Sequence, residues 1–224
     1  MYLEERLAEA LNFLEQGGPA IWAITALSVI TGVLIVWKIW RLALMGAWAG
    51  SNTEYAVTLW CNGDRSGAQS ALKNRRSLRA VVAATAMRVA AEHQLSAEEQ
   101  REEIERVARR KLGAARVGLR ALELIATIAP LLGLLGTVLG MIAAFQTLQE
   151  AGTRADPADL AGGIWEALLT TAAGMAVAIP ASVALTWCES VVQRAQEDME
   201  DAATRILTQK KDKQPVPDLP MAAE

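Results

Sequence analysis

The sequence predicts an all-α membrane protein with three transmembrane helices, of which the second and third extend into a cytoplasmic helical bundle. Of the 224 residues 52% are hydrophobic, and the apolar residues are gathered into three blocks instead of being spread evenly. Tryptophan flanks the blocks, with Trp22 and Trp165 at one end and Trp37, Trp40 and Trp187 at the other, as expected at the two interfaces of a bilayer. Basic residues concentrate in the long connection between the first two blocks, which is typical of a cytoplasmic loop.

The three apolar blocks define the expected spans. Residues 19–44 predict transmembrane helix 1, whose Lys38 and Arg41 are expected to extend to one interface. Residues 122–145 predict transmembrane helix 2, and residues 161–187 predict transmembrane helix 3. At about 1.5 Å per residue, each helix is long enough to cross a hydrocarbon core of about 30 Å.

The charges of the connections predict the orientation. Residues 41–120 contain 14 Lys or Arg and 8 Asp or Glu, so the positive-inside rule places a helical domain of residues 45–121 in the cytoplasm. The predicted outer segments are an amphipathic N-terminal segment, residues 1–18, and a loop, residues 146–160. The N-terminal segment has four Glu and a single Arg, so we expect a retained anchor to follow it and not a cleaved signal peptide. The last segments are expected inside, as a C-terminal helix at 188–213 and a disordered tail at 214–224.

Local signals refine the cytoplasmic region. Ser96 with Glu99 forms a capping-box pattern that opens a helix. No proline interrupts the chain from there until Pro130, so this helix is expected to continue into span two without a break. Asn62-Gly63 indicates a turn before a helix at about residues 65–92. Mixed charges at helical spacing predict that span three continues as a soluble helix through residues 189–211.

Several classes of function have no support in the sequence. A net charge of −3 gives no indication of nucleic-acid binding. His93 is the only histidine, and neither it nor the pair Cys61 and Cys188 has the spacing of a metal site. No nucleophile–base pair or glycine-rich phosphate loop is evident. We therefore expect no enzyme activity, no cofactor and no metal.

Glu166 is the residue that points most directly to function. It is a carboxylate within the apolar run 160–187, where an ionised acid costs about 2.5–3.5 kcal/mol on insertion scales. Burial raises the pKa of a carboxyl group, so such a residue can bind a proton. Ionisable residues within spans usually mark ion pathways; the alternative is a side chain that only extends to the outer interface.

Small and hydroxyl residues accompany this acid. Such residues let membrane helices approach closely, and simple packing is the alternative to a functional role. Glu166 and Thr170 are four residues apart and share a helix face, and counting from the outer ends puts the hydroxyls of spans two and three at a similar depth. The sequence therefore predicts a polar lining formed by Glu166, Thr137, Thr170 and Thr171, and helix packing by Gly133, Gly136, Gly140 and Gly174.

Two paired motifs resemble those of a known family. The first is Ala129-Pro130…Gly133-Leu134…Gly136-Thr137-Val138…Gly140-Met141, and the second is Glu166-Ala167-Leu168…Thr171-Ala172…Gly174…Ala178-Ile179-Pro180-Ala181. Together they are similar to the ExbB/TolQ/MotA proton-channel family, and the three-span layout is closest to ExbB and TolQ.

The resemblance carries further expectations. It implies that Glu166, Thr137 and Thr171 face a central pore, and that the chain forms a homo-oligomer, as a pentamer, around the single spans of an ExbD- or TolR-like partner. A TonB- or TolA-like protein and membrane lipid are the other partners implied, and the bacterial inner membrane is the implied location. Two functions are compatible with the resemblance: use of the proton motive force to energise TonB-dependent import (the ExbB-like role) and maintenance of the envelope (the TolQ-like role). A passive membrane scaffold is the alternative of another class.

Overall fold

The structure is a computed structural model that describes residues 18–92, 94–152 and 156–211. These residues are almost entirely helical and form no strand. The expectations for residues 1–17, for His93 and for the tail beyond residue 211 lie outside them. The helices are α1 (Gly18–Leu44), α2 (Ser51–Cys61), α3 (Arg65–Leu72), α4 (Leu78–Ala91), α5 (Ala97–Arg116), α6 (Leu119–Ala151) and α7 (Pro157–Lys211).

Within the described residues, three helical stretches are long and apolar enough to cross a membrane, namely Pro19–Leu44, Ala97–Ala151 and Leu160–Gln209. All-helical architecture with three such helices confirms the predicted fold class, and it makes the chain a multi-pass membrane protein. The continuation of span three as a helix through residues 189–211 is also present, since α7 runs without interruption from Pro157 to Lys211.

The described residues divide into two compact units, and the first contains the apolar parts of α1, α6 and α7. This membrane unit comprises residues 18–39 and 118–188. Its core is a cluster to which all three helices contribute: Ile24, Ile125, Ala129, Val177, Ala178 and Ala181. Many large apolar side chains of α1 and α6 remain exposed on the unit, among them Val29, Val33, Leu131, Leu134 and Val138. An apolar exterior around an apolar core is what a bilayer, and not water, stabilises.

The second unit comprises residues 40–117 and 189–211. Arg79 is 7% exposed, and it donates to the Asp198 carboxylate at 2.6 Å and to the carbonyl of Ala47. A buried guanidinium is stable only when its donors are satisfied. Arg79 therefore links the chain that follows α1, helix α4 and the last part of α7.

The expected unbroken helix from Ser96 into span two is wrong. The capping box is present, with Ser96 and Glu99 bonding each other's backbone N–H, but α5 ends at Arg116 and α6 begins at Leu119. Gly118 between them has φ 88°, a left-handed conformation that commonly ends a helix at glycine. A β-carbon on Gly118 would also lie 2.8 Å from Cζ3 of Trp37, so the tryptophan ring occupies the space that a side chain would need.

Two smaller expectations need correction. The helix predicted at about residues 65–92 is two helices, because Asn74 adopts φ 62° between them and Ser77 caps the N-terminus of α4. Lys38, which we expected to extend to an interface, is 1% exposed and has an interaction partner inside the protein. Hydropathy detects the apolar stretch around this lysine but not the contact that keeps its charged end within the protein.

Candidate functional site

Helices α6 and α7 are antiparallel and approach each other through their small residues. A β-carbon on Gly174 would lie 2.6 Å from the carbonyl oxygen of Ala129, and one on Gly133 would lie 2.9 Å from Cα of Thr171. One on Gly140 would lie 3.1 Å from Cβ of Ala167. Glycine at these positions lets the two backbones meet directly, which is the mode of packing typical of small-residue stripes in membranes.

The hydroxyl groups of α7 close this contact. Thr170 is 3% exposed, and its Oγ1 lies 2.7 Å from the carbonyl oxygen of Ala167 and 3.2 Å from that of Gly133. Thr171 donates to the same Gly133 carbonyl oxygen at 3.1 Å. A β-carbon on Gly136 would lie 2.5 Å from Oγ1 of Thr170, so the Thr170 side chain fills the space above this glycine. The Gly133 carbonyl is thus the acceptor that joins the two helices.

Thr137 is arranged differently from the other two threonines. Its Oγ1 donates to the carbonyl oxygen of Leu134 in its own helix at 2.6 Å, and its side chain is half-buried. Such a back-bond is common for threonine in membrane helices. Within the described residues the Thr137 hydroxyl has no partner in α7, so the structure brings Thr170 and Thr171, but not Thr137, to the shared carbonyl.

Glu166 is exposed on this chain. Neighbouring Ala167 and Thr170 are buried in the contact with α6, whereas the Glu166 carboxylate forms no hydrogen bond or ion pair with any residue in the described ranges. The burial that the sequence predicts for this acid is therefore not supplied by the single chain.

Helical geometry separates the acid from one of the hydroxyls. At about 100° per residue, and taking Glu166 as zero, Thr170 is about 40°, Ala167 about 100° and Thr171 about 140° around α7. The face that packs on α6 therefore lies between Glu166 on one flank and Thr171 on the other. One chain does not line a single channel wall with both residues.

Gly163 was not among the predicted packing residues. A β-carbon there would lie 2.6 Å from Cβ of Ala144, so this glycine extends the close contact by another turn toward the C-terminal end of α6 and the N-terminal end of α7. Its signal was present in the sequence, because Gly163 lies four residues before Ala167 and so belongs to the same small-residue stripe.

A groove in the second unit contains none of the predicted site residues. It encloses about 990 Å³ between α5 and the last part of α7. Its lining combines charges of both signs, including Arg101, Glu105, Arg109 and Glu200, and so it favours no single class of ligand.

Comparison with known proteins places these motifs in a family. The model of the MotA/TolQ/ExbB proton channel family matches residues 73–201, more than half of the chain. The matched range includes both paired motifs and Glu166.

Individual relatives match over shorter stretches. The biopolymer transport protein exbB1 of Vibrio cholerae is 52% identical over 64 residues, which cover 29% of this chain and 28% of that protein. The biopolymer transport protein ExbB of Neisseria gonorrhoeae is 38% identical over 97 residues, which cover 42% of this chain and 44% of the relative. An ExbB-like biopolymer transport protein of Synechocystis is 49% identical over 78 residues, 34% of this chain and 31% of that protein. The chain thus spans less than half of the length of each of these relatives.

The family match, which covers more than half of the chain, agrees with the three apolar helices and with the resemblance of spans two and three. The family is one of transport proteins and not of enzymes. The chain belongs to the MotA/TolQ/ExbB proton channel family.

Proposed function

We propose that this chain is the ExbB-like channel subunit of an inner-membrane motor, which uses the proton motive force to energise TonB-dependent import across the outer membrane. The observation that carries the proposal is Glu166, a carboxylate in an apolar helix and exposed on the single chain. In contact with lipid an ionised acid costs about 2.5–3.5 kcal/mol at the centre of a span and less near its end. A polar pathway in the assembled protein removes that cost and gives the carboxyl a proton to exchange.

The pathway forms between copies of the chain. Because Glu166 and Thr171 lie on opposite flanks of the face that packs on α6, a channel lined by both needs residues from more than one copy or from a partner. A homopentamer with its N-termini in the periplasm and its C-termini in the cytoplasm is the arrangement that we propose. The mass of the detergent-solubilised complex tests the number of copies, and a monomeric particle that is still active contradicts it.

An ExbD- or TolR-like single-span partner supplies the second proton carrier. In the sequence no acid other than Glu166 lies deep in the spans, because Glu123 is at the cytoplasmic boundary of span two. Glu166 alone therefore provides a single proton-binding group on a path across the whole membrane. Each proton that crosses about 100 mV releases about 2.3 kcal/mol, so several protons can drive a movement of the partner that a TonB-like protein transmits. Full proton conduction by the purified chain without any partner would contradict this step.

Glu166→Gln in cells tests the role of the carboxyl group. Glutamine keeps the size and hydrogen-bonding capacity of the side chain but cannot bind and release a proton near neutral pH. Glu189→Gln is the matched control, since Glu189 is exposed on the same helix beyond the apolar stretch. We expect the first variant to assemble normally and to lose import, and the second to keep both.

A TolQ-like role in envelope maintenance is the second candidate, because the paired motifs that support the channel occur in both branches. Uptake of a TonB-dependent nutrient and resistance to detergent distinguish the two: loss of uptake alone in Glu166→Gln supports the ExbB-like role, and loss of detergent resistance alone supports the TolQ-like role. A passive scaffold predicts that Glu166→Gln leaves both unchanged.

A further inference from the structure

The turn between α3 and α4 concentrates positive charge. Lys73, Arg75 and Arg76 are three of the five residues between the two helices, and all three are exposed. We call residues 73–76 the basic turn. Arg75 donates from Nε to the carbonyl oxygen of Ala71 at 3.3 Å, and none of the three forms an ion pair with a described residue. The left-handed Asn74, φ 62°, fixes the tight turn. The basic turn therefore offers three cations that no acidic side chain of the described residues neutralises.

The residues that follow the basic turn are attached to the end of α1. We call residues 45–49, directly after α1, the post-span turn. The N–H of Leu78 donates to the carbonyl oxygen of Met45 at 3.1 Å, and Arg79 donates to that of Ala47. Gly46 has φ 64°, and a β-carbon on it would lie 2.7 Å from Cβ of Ser77. Three consecutive residues, 77–79, are therefore held against the post-span turn.

This attachment sets the depth of the basic turn. The first apolar stretch ends at Leu44, one residue before Met45. Trp40 and Trp48, on either side of that end, are 67% and 50% exposed, as expected for tryptophan at a membrane interface. Four residues of extended chain reach at most about 14 Å, so the basic turn stays within that distance of Ser77. This is about the sum of one headgroup layer, about 5–8 Å, and one Debye length, about 8 Å, so its cations are close enough to attract charged headgroups.

We propose that the basic turn is a docking surface for the headgroups of anionic phospholipids in the leaflet where α1 ends. A Lys or Arg near a membrane surface strengthens the attraction to anionic lipid by about 1 kcal/mol, a factor of about five. Two of the three cations are arginines, whose planar guanidinium groups match the oxygens of a phosphate. The proposal requires only that α1 crosses the membrane, and it is independent of proton conduction.

Lipid retention by the full chain tests the proposal. The complex is purified from membranes, exchanged into micelles that contain equal amounts of phosphatidylglycerol and phosphatidylcholine, and the bound lipids are counted by native mass spectrometry. The test variant is Lys73→Gln/Arg75→Gln/Arg76→Gln. We expect its ratio of bound phosphatidylglycerol to phosphatidylcholine to fall at least about tenfold, since three charges at about fivefold each set an upper limit near a hundredfold.

A matched control removes three charges from an exposed helix of the same unit. The control Arg101→Gln/Arg106→Gln/Arg109→Gln removes the same number of charges from α5, where all three side chains are exposed. It breaks two ion pairs, to Glu103 and Glu105, which lie on the surface and contribute little to stability. We expect its lipid ratio to stay within about twofold of the wild type, and thermal unfolding confirms that both variants fold.

Three results overturn the proposal. The first is an unchanged ratio in the basic-turn variant, and the second is an equal loss in the α5 control, which indicates that net charge alone is responsible. The third is release of phosphatidylglycerol from the wild type by millimolar inorganic phosphate at constant ionic strength, which identifies a site for a soluble anion and not for a lipid.

Discussion

Gly174→Ala is the substitution for which the structure predicts the clearest loss of stability. The added β-carbon would lie 2.6 Å from the carbonyl oxygen of Ala129, 3.1 Å from Cα of Gly133 and 3.2 Å from its nitrogen. All three atoms belong to the backbone of α6, so no side-chain rotation can make room. The two helices must separate locally.

The magnitude follows from two contributions. Overpacking a close contact costs about 1–3 kcal/mol. Separation also lengthens the hydrogen bonds that Thr170 and Thr171 donate to Gly133, now 3.2 and 3.1 Å, and hydrogen bonds between membrane helices average about 0.6 kcal/mol each. The gain in helix propensity from glycine to alanine offsets up to about 1 kcal/mol of this cost. We expect the free energy of unfolding to fall by about 1–4 kcal/mol.

Gly32→Ala is the matched control. Gly32 also lies inside an apolar helix, but a β-carbon there meets no atom within 4 Å. Replacing glycine by alanine in an open helical position gains up to about 1 kcal/mol from helix propensity. Unfolding by sodium dodecyl sulfate in mixed micelles, followed by tryptophan fluorescence, measures both variants. If Gly174→Ala unfolds within about 0.5 kcal/mol of the wild type, or no more easily than Gly32→Ala, then the inferred contact between α6 and α7 is absent.

Three further predictions concern other contacts. Thr170→Val removes the buried hydroxyl group that donates to the Gly133 carbonyl oxygen, and it should lower the free energy of unfolding by about 0.6–1.5 kcal/mol in the same assay. An unchanged free energy would show that this hydroxyl group does not stabilise the contact. Arg79→Met removes the donor to Asp198 and to the post-span turn. It should reduce the free energy of unfolding by about 1–3 kcal/mol and so lower the thermal unfolding midpoint. An unchanged midpoint would contradict a stabilising role for these two hydrogen bonds. Hydrogen bonds from the backbone N–H and the hydroxyl group of Ser96 lower the pKa of Glu99 from its ordinary value of 4.5. The cap therefore stabilises α5 fully above pH 4.5, and this stabilisation is lost as the pH falls through the lowered pKa of Glu99 in the folded protein. Hydrogen exchange at the start of α5 should show this loss, and Glu99→Gln should remove the pH dependence.

The sequence was sufficient to identify the three apolar helices. Long runs of apolar residues identify a span whatever the rest of the fold does, and the capping box at Ser96 is a local signal that the structure contains. The paired motifs also indicated the family, because they combine glycine, threonine and proline at fixed spacing with a single acid.

Features that depend on contacts between distant residues were not predicted. The break at Gly118 depends on the Trp37 ring against it, and the burial of Lys38 depends on an interaction within the fold. Charge and hydropathy report neither. The pairing of Arg79 with Asp198 joins residues 119 positions apart, which no local pattern reveals.

Spacing along the sequence suggested residues for the candidate site, but it did not predict their arrangement in the structure. Spacing alone suggested one polar lining, whereas the structure buries Thr170, leaves Glu166 exposed and directs Thr171 to the opposite flank. The surroundings of Glu166 depend on the copies and the partner that we propose to lie beside it.

Proton flux through the assembled complex tests the role of Glu166 most directly. The chain is co-purified with the single-span partner that we propose and reconstituted into vesicles with a trapped pH-sensitive dye, and a potassium diffusion potential drives the protons. If Glu166 exchanges protons, Glu166→Gln lowers the flux at least about tenfold, because the amide cannot bind a proton near neutral pH, while Glu189→Gln conducts like the wild type. Equal fluxes in wild type and Glu166→Gln contradict the account.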